Sequence, residues 1–157
     1  STNQSQTLTR FIIDGSGNVG IGTTSPEGKL HVMAGSAGNV TAYPESQLTL
    51  ETGGANNFLS FLSPDGQNQG ILFGDASANW RGQVEYFHGD DSMRIFTAAA
   101  EQVRITAGGN VGIGTTNPTS KLQVAGLPEY ADNATAVDGG LTAGAFYRTG
   151  DLLKVVH

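Results

Sequence analysis

Along this chain apolar and non-apolar positions alternate with period two in short runs, and no segment sustains a helical period until near the end. The clearest runs are two near-copies. Gly17 to Val32 reads GNVGIGTTSPEGKLHV and Gly109 to Val124 reads GNVGIGTTNPTSKLQV, identical at twelve of sixteen positions with a constant offset of 92 residues. In each copy β-branched residues alternate with glycine: Val19 and Ile21 with Gly20 and Gly22, Val111 and Ile113 with Gly112 and Gly114. That pattern predicts a strand with β-branched side chains on one face and bare glycine on the other, a surface suited to close approach by another backbone. Thr23-Thr24-Ser25-Pro26 predicts a turn, because Pro26 fixes its own φ and biases Ser25 away from helix. A second strand from Lys29 to Val32 points Leu30 and Val32 the same way. Each copy also follows a short apolar strand, Arg10 to Asp14 and Gln102 to Thr106.

Between the copies, strands are expected at Gln47 to Glu51, Asn57 to Leu62, Gln69 to Phe73, Gln83 to His88 and Ser92 to Thr97. Gly53-Gly54, Pro64-Asp65-Gly66, Gly74-Asp75 and Gly89-Asp90-Asp91 separate them. Near the end, Glu129 to Val137 predicts a short helix stopped by Gly139-Gly140. Phe146 to Arg148 and Leu152 to Val156 flank Thr149-Gly150-Asp151 as a hairpin. The fold class is therefore all-β: glycine-rich β repeats, a central antiparallel β block and a small C-terminal helix-plus-hairpin element. The segments are 1–34 with the first repeat, 35–106 as the central block, 107–126 with the second repeat and 127–157 as a cap.

Composition turns this into an expectation of self-association. Of 157 residues, 23 are glycine and only 38% are apolar even with alanine counted. Ordering so much glycine costs backbone entropy, and there are few large side chains to offset it. Two short strands per repeat do not close a core alone, whereas several copies around an axis can. The net charge of −6, with eight Lys and Arg, argues against nucleic acid. There is no apolar run long enough for membrane insertion, and the absence of cysteine removes disulfides and thiolate metal sites. The N-terminus carries neither an initiator Met nor a signal-peptide pattern, which points to a piece of a longer chain.

The repeats resemble those of bacteriophage tail fibre and tailspike proteins, and Leu127 to His157 is similar to a C-terminal element of many phage structural proteins. Together the two likenesses cover Arg10 to Val32 and Arg104 to His157. The resemblance implies an intertwined parallel homotrimer in the virion, outside the cell. It implies a role in attaching to a host-surface receptor, a carbohydrate or outer-membrane component, or in spacing the element that does. A depolymerising tailspike fragment is a further alternative, as is an adhesin of cellular origin.

Chemical motifs give little against this. Gly15-Ser16-Gly17-Asn18-Val19-Gly20 satisfies G-x-G-x-x-G, but the chain continues as strand where a dinucleotide site needs a helix N-terminus. Gly22 to Lys29 misses the P-loop spacing, and Leu30 stands where a Ser or Thr should hold magnesium. No cofactor is expected and no enzyme activity. The carboxylates nominally available to a glycosidase are Asp75, Glu85, Asp90 and Asp91, with nothing to fix their separation. Asn39-Val40-Thr41 and Asn133-Ala134-Thr135 match the N-glycosylation pattern, taken as accidental in a phage protein. His31 faces away from Leu30 and Val32, and its counterpart is Gln123, so a solvated position is expected rather than a metal ligand; His88 and His157 sit at a turn and at the terminus. Trp80, the only tryptophan, lies beside Arg81 between two strands. It is a candidate sugar platform, with Tyr43 and Tyr86 as weaker ones. The competing role, favoured by the shortage of large side chains, is that Trp80 plugs a core.

Overall fold

The computed structural model describes residues 10–157, which divide into two compact units, 10–60 and 61–157. In the first unit, β1 (Phe11–Ile13), β2 (Val19–Ile21), β3 (Leu30–Met33) and β4 (Leu48–Glu51) form one sheet in chain order. β1 and β2 are antiparallel; β2, β3 and β4 run parallel. Parallel neighbours usually need a long crossover. Here the strands are so short that residues 22–29 suffice to return the chain. β4 comes from the expected central block yet completes the first repeat's sheet.

The second unit holds a six-stranded sheet in the order β10-β9-β8-β7-β6-β5. β5 (Gln69–Phe73), β6 (Gly82–Phe87), β7 (Ser92–Thr97) and β8 (Ala100–Ile105) form an antiparallel meander, and β8 pairs antiparallel with β9 (Val111–Ile113). β10 (Leu122–Val124) then joins β9 in parallel. The β8-β9-β10 trio reproduces β1-β2-β3 residue for residue at the 92-residue offset: Phe11 opposite Ile21 becomes Val103 opposite Ile113, and Val19 opposite Leu30 becomes Val111 opposite Leu122. Supporting bonds recur as well. Lys29 Nζ donates to Ser16 O at 3.3 Å and Lys121 Nζ to Gly108 O at 2.8 Å.

Strand expectations hold except at Asn57 to Leu62, which is irregular chain. Phe58, Leu59, Phe61 and Leu62 are all exposed, so an apolar run without a ladder partner does not become a strand. The helix α1 (Asn133–Asp138) begins later than the expected Glu129. Asp132 is the reason: in extended conformation it accepts from Thr135 N, while Thr135 Oγ1 accepts from the Asp132 amide, a reciprocal cap that fixes the start. α1 packs Ala136 against Tyr147 and Val156 of the hairpin β11 (Phe146–Thr149) and β12 (Leu152–Val155) with its following residue. Asn133 closes this element by exchanging two hydrogen bonds with the backbone of His157. Among the described residues, Ala136, Tyr147 and Val156 are the whole of the buried apolar core. No helix among them is long and apolar enough to cross a membrane.

Candidate functional site

The glycine face of each repeat is closed by its own turn. A Cβ on Gly20 would lie 2.6 Å from Thr23 O, and one on Gly112 would lie 2.5 Å from Thr115 O. The turn backbone that Pro26 or Pro118 shapes folds back onto the strand, and only glycine leaves room for it. The close approach expected from the sequence is therefore real, and the approaching backbone belongs to the same repeat.

His31 is a correction. It projects onto this covered face and is 2% exposed, not solvated. Its Nδ1 accepts from Glu27 N at 3.3 Å, which leaves Nε2–H to donate to Glu51 Oε2 at 3.0 Å. Gln123 does the first of these jobs in the second repeat, its Oε1 accepting from Thr119 N at 2.9 Å. His and Gln interchange because each sets an acceptor against the same turn amide. With both ring nitrogens engaged, His31 has no free lone pair for a metal. Among the described residues no three His, Cys, Asp or Glu side chains converge on a metal position.

The other face is apolar, and it is open. One cross-strand row of the second unit runs Ile71, Val84, Ile95, Val103, Ile113, Val124 through all six strands. The next row runs from Gln69 through Tyr86, Met93, Ile105 and Val111 to Leu122. Ile71 is 49% exposed, Ile95 43% and Leu122 62%. In the first unit Phe11, Ile13, Ile21, Leu30 and Leu48 likewise stand exposed on the face that carries Val19 and Val32.

The buried groups lie on the reverse face of the six-stranded sheet. The row Gly70, Glu85, Arg94, Arg104, Gly112, Gln123 places two arginines directly opposite each other, a repulsive pair by itself. Glu101 resolves it with a two-pronged bond to Arg104, at 2.6 and 2.8 Å, while Asp90 Oδ2 takes Arg104 at 2.7 Å and Arg94 at 3.1 Å. Glu85 stands 3.9 Å from Arg94, whose guanidinium also lies 3.5 Å over the Phe87 ring. The sheet has thus turned its charges inward and its hydrocarbon outward.

The Ser92 hydroxyl, bonded at 2.5 Å, and then Arg94 and Arg104 hold the Asp90 carboxyl below its ordinary range, against a partial opposing effect of desolvation. Since the folded value lies below the unfolded one, its stabilisation is complete above the unfolded value of about 4 and is lost as pH falls through the folded value. Asp90 is 44% exposed, so solvent screening limits this to no more than about 1 kcal/mol. Asp90→Asn is expected to flatten the acid limb of the stability curve below about pH 4. A carboxyl NMR titration placing Asp90 at an ordinary midpoint would overturn this account.

The recognition candidates are distributed. Trp80 and Arg81 sit together on the loop between β5 and β6, where Arg81 Nε donates to Asp75 Oδ2 at 3.1 Å. Asp75 in turn accepts from Ser77 N and Ala78 N, first among the causes that lower its carboxyl. Trp80 keeps 42% of its surface exposed, so in the single chain it does not plug a core. Tyr86 is on β6, its hydroxyl bonded to Asp91 Oδ1 at 3.2 Å and its ring edge-on to His88. Burial first, and Asp91 second, raise its phenol. Tyr43 belongs to the first unit and is 68% exposed. Among the nominal acids, Glu85 and Asp90 are engaged by arginine, and Asp75 and Asp91 serve their own loops. No family model matches the chain, and no curated protein is significantly similar to it.

Proposed function

We propose that this chain is the structural, receptor-binding part of a trimeric phage tail fibre, one that attaches a virion to the host cell without catalysing a reaction. The observation that carries the reading is the open apolar face: a β-branched row across six strands faces outward in a chain whose described buried apolar core is Ala136, Tyr147 and Val156. Contiguous apolar faces of this kind mark interfaces, and identical copies supply the matching surface most simply through cyclic symmetry. The likeness of both repeats and of the C-terminal element to phage fibre proteins supports three copies and a virion location. The Trp80–Arg81 loop, an aromatic beside a guanidinium at the surface, suits a carbohydrate-bearing receptor.

Light scattering on the full chain is expected to return three times 16.2 kDa; a folded species of single-chain mass overturns the trimer. In the assembled virion, Trp80→Ala is expected to weaken host adsorption by about tenfold, as an aromatic contact of about 1.4 kcal/mol would. Unchanged adsorption would favour the passive spacer.

A further inference from the structure

The two repeats differ at only four of sixteen positions, and three of the four coincide with a difference in topology. In the first repeat the outer edge of β3 carries the parallel strand β4; in the second, β10 is the last strand of its sheet. We propose that Glu27, Gly28 and His31 are the specificity determinants of a strand-binding edge, and that Thr119, Ser120 and Gln123 at the matching positions close that edge. The partner it fits is a parallel extended strand bearing a carboxylate one step beyond the position opposite Val32, which β4 supplies within the chain as Glu51.

Each residue has a separate job. His31 Nε2 donates to Glu51 Oε2, whose other oxygen accepts from Ala37 N at 2.6 Å, so one carboxylate fixes both the register of β4 and the loop leading to it. Gln123 keeps the turn contact, and among the described residues no carboxylate bonds it. Glu27 Oε2 accepts from Ala42 N at 2.6 Å and holds the returning chain against the repeat. Thr119 is too short to reach as far and instead bonds Gln123. Gly28 makes room: a Cβ there would lie 2.7 Å from Ser46 O, just before Gln47 O accepts from Leu30 N to open the ladder. Ser120 fills that place with a side chain, and its hydroxyl donates at 2.9 Å to Leu122 O, engaging a carbonyl of the edge strand itself. A bonded edge carbonyl and an occupied approach path are how a sheet edge is protected from further pairing.

The test transplants the second repeat's residues into the first and follows amide hydrogen exchange in the full chain. In E27T/G28S/H31Q, the amides of β4 are expected to exchange at least about tenfold faster, while those of β9 and β10 change less than about twofold. Unchanged protection of β4 overturns the proposal. If the triple variant does not fold, H31Q decides, because Gln already serves the turn contact at position 123. It should remain folded with β4 exchanging about threefold to tenfold faster, and adding E51Q should then change that rate by less than about twofold. Independent, additive effects of the two substitutions would equally overturn it.

Discussion

Gly112→Ala is expected to destabilise the protein by about 3 kcal/mol, and Gly20→Ala by a similar amount. The added methyl would lie 2.5 Å from Thr115 O in one case and 2.6 Å from Thr23 O in the other, distances that Cβ atoms do not tolerate. Neither obstacle is a flexible side-chain tip. Each is a backbone carbonyl in a turn held by proline, so relief means lifting the turn off the strand. Each methyl would also crowd a side chain at 3.1 Å, Ile12 Cγ1 at Gly20 and Thr115 Cγ2 at Gly112, so the two losses should be alike. The comparison that isolates this cause is Gly15→Ala. Nothing lies within 4 Å of a Cβ at Gly15, so that change should be neutral or stabilise by up to about 1 kcal/mol through the unfolded chain. Urea unfolding at one fixed protein concentration measures all three, the concentration being held because association would shift apparent stability. Equal midpoints for Gly20→Ala and Gly15→Ala would show that the turn does not rest on the strand.

The alternation of Val, Gly, Ile and Gly made the strands and their two faces legible, since period two admits no other regular element. That a backbone approaches the glycine face was legible too, because a face without side chains leaves room for one. Whose backbone it is was not legible. What lies there is the turn after Gly22, placed by a backbone path that residue types do not specify. His31 was misread for this reason: exchange with Gln123 looked like indifference, when both side chains offer an acceptor to one turn amide. The pairing of acceptor types at the 92-residue offset was the available signal. Asn57 to Leu62 failed for the opposite reason, because apolar content was read as strand without a neighbour to complete the ladder. The ion network on the reverse face was missed, and its signal was Glu85, Arg94 and Arg104 alternating with apolar residues. Its inward placement follows only once the long row from Ile71 to Val124 is seen to stand outside.

Ile95→Asp is expected to convert the proposed trimer into single chains at micromolar concentration. Ile95 sits mid-row, between Val84 and Val103, and is 43% exposed in the single chain, so any partner laid on this face covers it. Full burial of such a side chain is worth about 1.5–3 kcal/mol. A carboxylate in its place forfeits that gain and adds the cost of an ion cut off from water with no cation in reach, since Arg94 and Arg104 project from the reverse face. At about 3 kcal/mol per chain, three chains lose roughly 9 kcal/mol, a factor of about a million in the trimerisation constant. Ala107→Asp adds the same charge at an exposed turn position and should leave the mass unchanged, which separates burial from net charge. The two results together distinguish a working interface from an ornamental one. If Ile95→Asp sediments as wild type does, the outward row is not an interface between copies.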